Sequence, residues 1–110
     1  GQGLPEVMNM PITEMICGAN LGFGLLPALS HGAYNALHLF GTDALKAKFL
    51  PKMISGHWSG IMCLTEPQAG TDLGLIRTRA EPSGDGKYKI SGTKIFISCG
   101  EHDATENIIG

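Results

Sequence analysis

Apolar residues recur at steps of three and four through the first part of the chain. Ile12, Met15, Ile16, Ala19, Phe23 and Leu26 fall on one face of an α-helix. Asn9 or Thr13 suits its N-cap, and Pro11 fits a first turn, where its missing N–H has no partner. Pro27 would cost about 3 kcal/mol in a helix interior, so it predicts a break or the first turn of a second helix. That second helix carries Leu29, Ala33, Leu37 and Phe40 and ends at Gly41. Thr42-Asp43 caps a third, short helix with Leu45, Phe49, Leu50 and an internal Pro51, closed by Gly56. Gly18, Gly22, Gly24 and Gly32 weaken helix propensity here and predict close helix packing.

From Trp58 the spacing becomes that of strands. Residues 59–65 form a short run ending at the turn cluster Glu66-Pro67-Gln68-Ala69-Gly70-Thr71-Asp72. Residues 75–81 mix β-branched and long side chains, and Pro82-Ser83-Gly84-Asp85-Gly86 is a strong turn signal. Residues 87–91 alternate, Gly92-Thr93 interrupts, and 94–98 resume the alternation, which predicts a hairpin across Gly92-Thr93. Residues 99–110 begin as loop and then turn apolar, entering a further strand. Helices followed by antiparallel strands give an α+β fold class, not βαβ order.

Composition narrows the function classes. Eight basic against ten acidic residues leave a net charge of −2, with no cationic excess for a nucleic-acid backbone. Gly, Pro, Asn and His interrupt the apolar stretches short of the ~20 residues a membrane helix needs, so no membrane span is expected. Residues 1–10 lack the charged and apolar regions of a signal peptide. Three cysteines, an odd number without a C-x-x-C pair, favour a reducing compartment over a disulfide framework. The chain starts without Met and stops within Ile108-Ile109-Gly110, and we read it as a piece of a longer protein.

Several segments are candidates for chemistry. The loop from Thr65 to Asp72 offers two hydroxyls and free amides to a ligand, although composition alone favours a plain turn. Strand alternation would set Phe96 and Ser98 on one face, an aromatic plane beside a hydroxyl, with Ile95 and Ile97 on the other. That pair suits a flat heteroaromatic ligand, but core filling by Phe96 is the commoner outcome. His31 and His38 lack a third ligand in register, so no metal site is expected. Gly18-Ala19-Asn20-Leu21-Gly22-Phe23-Gly24 lacks the strand and spacing of a phosphate loop. Glu101-His102-Asp103 reads as a surface turn rather than an acid–base cluster, and Cys63 has no basic neighbour in sequence to activate it.

The run Met62-Cys63-Leu64-Thr65-Glu66-Pro67-Gln68-Ala69-Gly70-Thr71-Asp72, followed by Ile90-Ser91-Gly92-Thr93-Lys94-Ile95-Phe96-Ile97-Ser98, resembles the acyl-CoA dehydrogenase family. Phe40-Gly41-Thr42, Lys48-Phe49-Leu50-Pro51 and Arg77-Thr78-Arg79-Ala80-Glu81 fit as well, so the likeness covers essentially the whole chain. The stretch from Gly100 to Ile109 is similar to the larger bacterial members, which include enzymes acting on methylthio-acyl thioesters.

The resemblance implies an N-terminal helical domain, a middle β-domain and a C-terminal helical domain, with FAD held between the last two. Residues 1–56 would be the end of the first and 57–110 the start of the barrel-like second. It implies a cofactor site at Met62, Cys63, Leu64, Thr65, Gly70, Thr71, Phe96, Ile97 and Ser98. Thr65 would bond the flavin ring, Thr71 its phosphates or the thioester substrate, Phe96 would lie against the isoalloxazine and Ser98 would bond to it. Thr71 stands where Ser is common, Phe96 where Trp is common and Ser98 where Thr is common. The implied reaction is α,β-dehydrogenation of an acyl-CoA, with hydride transfer to FAD. The family's catalytic carboxylate lies in the C-terminal helical domain, so no catalytic residue is expected in this chain. Glu66 reads as structural, and the isolated chain should be inactive. An electron-transfer flavoprotein as acceptor, a homo-oligomeric parent, and a bacterial cytoplasm or mitochondrial matrix complete the implication. The alternatives are an acyl-CoA oxidase or another flavoenzyme on the same scaffold, and a non-enzymatic helical–β interaction module.

Overall fold

The computed structural model describes residues 3–110. They form two compact units. One takes the chain through Met62 together with Ser98–Gly110, and the other is Cys63–Ile97.

The first unit is mainly helical. A short 3₁₀ turn, Glu6–Met8, leads into α1 (Asn9–Phe40). The start of α1 differs from expectation, because neither Asn9 nor Thr13 caps it: Met8 is the N-cap residue and gives no side-chain bond. The break also lies elsewhere. It falls at Asn20 (φ −159°, ψ 97°), while Pro27 sits inside the second arm. Asn20 Oδ1 accepts from the Phe23 amide at 3.0 Å, so its side chain caps the new arm. The two arms pack on each other. Asn9, Ile12, Ile16 and Cys17 share one cavity with Gly24, Pro27, Ala28 and His31. A Cβ on Gly24 would stand 3.0 Å from Cys17 Sγ, as close packing predicts, whereas Gly18 and Gly32 face open space. Taken as one run, Glu6–Phe40 is long and apolar enough to cross a membrane by length and composition, contrary to the sequence reading; Asn20 divides it.

Helix α2 (Asp43–Ile54) starts as expected, with Thr42 Oγ1 accepting from the Leu45 amide at 3.3 Å. Gly56, at φ +78°, ends the turn that follows it. Strand β1 is only Trp58–Gly60, not the longer run expected over 59–65. Its partner is β4 (Asn107–Ile109), and the pair is parallel, where antiparallel pairing was expected. Ser59 faces Ile108 and Gly60 faces Ile109 in register. Gly60 also donates its amide to Ser30 Oγ of α1 at 3.0 Å. Met53 and Ser59 are buried at this junction, where Phe49 packs on Trp58 with ring centroids 5.9 Å apart. Many large apolar residues of α1 stay exposed, Met15, Phe23 and Phe40 among them.

The second unit holds an antiparallel hairpin of β2 (Arg79–Gly84) and β3 (Lys87–Ser91). The chain reverses at Asp85 and Gly86, both at positive φ, within the predicted turn cluster. The hairpin expected across Gly92-Thr93 does not form, because residues 92–98 are not a strand. Gly92 instead lies against Thr78, where a Cβ would collide with the Thr78 hydroxyl and lie 2.9 Å from its Cα.

Candidate functional site

The second unit is organised around one carboxylate. Glu66 and Ala69 exchange backbone hydrogen bonds of 2.9 and 3.0 Å across Pro67-Gln68, which makes a closed turn. The Glu66 residue is only 3% exposed. Burying an unpaired carboxylate would be prohibitive, and here the pairing is complete. Oε1 accepts from the Thr78 hydroxyl at 2.6 Å, the Thr78 amide at 3.0 Å and the Lys94 ammonium at 2.9 Å. Oε2 accepts from Gln68 Nε2 at 2.6 Å and the Arg77 amide at 2.8 Å. The Thr78 hydroxyl, the Arg77 amide and Lys94, in that order, hold the Glu66 carboxyl far below the usual carboxylate range, against the opposing effect of burial. A carboxylate so saturated with donors is a poor proton acceptor. The chemistry of Glu66 is anchoring, in accord with its reading as a structural residue.

Lys94 extends the anchor. Its ammonium also donates to the Leu64 carbonyl at 2.9 Å, and the Ile95 amide donates to the Thr65 carbonyl at 2.9 Å. Three consecutive residues, Leu64, Thr65 and Glu66, are therefore each bonded to Lys94 or Ile95. The two sequence motifs lie side by side along this line.

The candidate residues distribute as follows. Thr65 is half-buried, and Cys63, Leu64, Gly70 and Thr71 are exposed. Phe96 is 85% exposed and has φ +58°, a left-handed conformation that is unusual for an aromatic residue. Ile95 and Ile97 are half-buried while Phe96 and Ser98 are exposed, so burial alternates as expected although the backbone is not a strand. Phe96 does not fill the core of this unit. Met62 and Ser98 belong to the first unit. The Asp72 side chain accepts from the Gly74 amide at 3.0 Å and starts the 3₁₀ turn Leu73–Leu75.

Glu66, Thr78 and Lys94 were not among the candidate site residues. A lysine leading an otherwise apolar run was the available signal, but its partner lies 28 residues away.

The cluster around His102 is more than the surface turn expected. His102 is half-buried, and its Nδ1 accepts from the Ala104 amide at 3.2 Å. The neutral ring then carries its proton on Nε2, which donates to Ser59 Oγ at 3.2 Å. Ser59 Oγ in turn donates to Thr105 Oγ1 at 3.0 Å, and Thr105 to the Asn107 carbonyl at 3.1 Å. Neither Glu101 nor Asp103 takes part in this chain of bonds, which tethers the loop before β4 to β1. Among the described residues no group of three or more metal-ligating side chains occurs.

A family model described as acyl-CoA dehydrogenase, N-terminal domain, matches residues 1–57. The chain belongs to the acyl-CoA dehydrogenase family. It is 55% identical over 109 residues to 3-methylmercaptopropionyl-CoA dehydrogenase of Ruegeria pomeroyi, covering 99% of this chain and 18% of that protein. It is 43% identical over 107 residues to a butyryl-CoA dehydrogenase of Syntrophomonas wolfei, covering 96% and 18%. The human mitochondrial very long-chain specific acyl-CoA dehydrogenase is 41% identical over 102 residues, covering 91% and 16%. The chain thus spans less than a fifth of the length of these acyl-CoA dehydrogenases.

Proposed function

We propose that this chain is part of a longer FAD-dependent acyl-CoA dehydrogenase that introduces an α,β double bond into an acyl-CoA thioester. The observation that carries this reading is the 2.9 Å bond from the Ile95 amide to the Thr65 carbonyl. It sets a hydroxyl-bearing loop alongside an exposed aromatic residue, Phe96. Within the second unit the groups suit a flavin: hydroxyls at Thr65 and Thr71, an open space beside Gly70, and a largely exposed aromatic ring at Phe96.

In this reading Met62, Cys63, Leu64, Thr65, Gly70, Thr71, Phe96, Ile97 and Ser98 hold the cofactor. When bound, FAD supplies the acceptor for the hydride lost from the substrate β-carbon. Thr65 and Ser98 orient the ring by hydrogen bonding, Phe96 shields it from water, and Thr71 binds phosphate or the thioester. The family resemblance assigns the α-proton to a carboxylate of the C-terminal helical domain; Glu66, already saturated by five donors, is unsuited to take it. Residues 1–56 close the N-terminal helical domain and 57–110 open the β-domain. The parent is a homo-oligomer of the bacterial cytoplasm or mitochondrial matrix and delivers its electrons to an electron-transfer flavoprotein.

The visible spectrum of the purified full-length protein tests this. Flavin bands are expected, and a double Phe96→Ala, Ser98→Ala variant should lose them. A colourless parent protein would refute the reading. The 110-residue chain alone should show no turnover with an acyl-CoA and a dye acceptor.

A further inference from the structure

Residues 64–66 and 94–96 meet in a clamp whose only charged members are Glu66 and Lys94. The Lys94 ammonium straddles Thr65, because its two acceptors, the Leu64 carbonyl and Glu66 Oε1, belong to the residues on either side. The Ile95 amide takes the carbonyl of Thr65 itself. Thr65 therefore enters the clamp through its backbone alone, and its hydroxyl is left for other use. One residue beyond the clamp, Phe96 holds a left-handed backbone at φ +58° with its ring in solvent. A strained, exposed aromatic residue persists only where neighbouring bonds over-determine it. Here those bonds come from Lys94 and Ile95. Glu66 in turn is held by donors from three places in the chain: Gln68, Arg77 with Thr78, and Lys94.

We infer that Glu66 and Lys94 are positioning residues for the flavin, fixing Thr65 and Phe96 relative to each other before the cofactor binds. The inference rests on the flavin reading above. Neither residue touches the cofactor in this scheme; both act through the backbone of residues 64–66 and 94–96. A prearranged site binds its ligand more tightly because less order is created on binding.

The test uses the full-length protein, stripped of flavin and titrated with FAD. Lys94→Met should weaken FAD binding by about tenfold or more and shift the visible circular dichroism of the bound flavin. Lys94→Arg, which keeps the positive charge but replaces the compact ammonium with a larger guanidinium, should recover part of the affinity, binding FAD more tightly than Lys94→Met and less tightly than the parent. Lys52→Met, which removes the exposed Lys52–Glu106 pair, should leave FAD affinity unchanged. Should Lys94→Met not fold, Thr78→Val carries the same comparison, since it removes one Glu66 donor and leaves the ion pair. Folded variants that bind FAD within about twofold of the parent, with an unaltered spectrum, would overturn the inference and leave the flavin reading intact. A parent protein that takes up no FAD overturns both.

Discussion

Gly60 of β1 passes so close to Ala33 of α1 that a methyl group at position 60 would overlap the Ala33 side chain. The Ser30 Cα lies 3.3 Å from the same point and belongs to helix backbone that cannot yield cheaply. The Gly60 amide is meanwhile committed to Ser30 Oγ. Gly60→Ala should therefore destabilise the protein by about 1–3 kcal/mol through overpacking. Gly32→Ala is the contrast. Its Cβ would meet open space in a helix, so it should stabilise by about 0.5–1 kcal/mol. Thermal midpoints of the two variants in the full-length protein should move in opposite directions.

The relay from His102 through Ser59 and Thr105 predicts a second result. Ser59 is 3% exposed and both donates and accepts. Ser59→Ala leaves His102 Nε2–H without its acceptor and Thr105 without its donor. The expected cost is about 1–3 kcal/mol. His102→Ala should cost less when Ser59 is already Ala than when Ser59 is present. Additive losses in the double variant would show that the relay does not act as a unit.

Acid sensitivity follows from Glu66. Its carboxyl is held below the usual carboxylate range in the folded state, chiefly by the Thr78 hydroxyl, then by the Arg77 amide and Lys94. The unfolded chain, with an ordinary glutamate near ~4.3, then binds the proton more readily. Stability from this group is fully present above that ordinary value and is lost as pH falls through and below it, toward the folded value. Unfolding midpoints measured from pH 6 down to ~2.5 should fall for the parent protein. Glu66→Gln should flatten that acid limb while lowering stability at neutral pH, because the amide cannot serve five donors.

Much of the helical part was legible because its signals are local. Thr42 caps α2 through a residue three positions away, Gly41 caps the end of α1, and Gly56 closes the turn after α2. The break at Asn20 was misplaced to Pro27 because a proline is a visible helix breaker, whereas Asn20 acts through a side-chain cap. Pro27 removes a single N–H from an arm that packing holds in place. The strand half was legible in composition and misread in pairing. Residues 94–98 alternate like a strand, yet Lys94 and Ile95 are engaged by residues 64–66, about thirty positions earlier. The parallel match of Trp58 with Asn107 is more remote still. Periodicity reports which face is buried and carries no information on the distant partner that does the burying.

The Asn20 cap can be tested directly. Asn20→Ala removes the acceptor of the Phe23 amide and should cost about 0.5–2 kcal/mol. Thr42→Ala removes the corresponding cap of α2 and should cost a similar amount. The two sites share no hydrogen-bond partner, so the double variant should lose the sum in denaturant unfolding of the full-length protein.

Phe96 separates stability from cofactor retention. Its left-handed backbone costs a residue with a Cβ roughly 1–2 kcal/mol, and only glycine escapes that cost. The ring is 85% exposed, so little packing is lost on truncation. Phe96→Ala keeps the strain and should leave the stability of the flavin-free protein within about 0.5 kcal/mol of the parent. Phe96→Gly releases the strain, partly offset by the greater freedom of glycine in the unfolded chain. It should be more stable than Phe96→Ala by up to about 1 kcal/mol. Both variants should retain FAD less well than the parent, because the aromatic plane is gone. Urea unfolding of the flavin-free proteins gives the first comparison and FAD titration the second. Phe96→Gly less stable than Phe96→Ala would mean that the left-handed conformation is not what residue 96 adopts in solution.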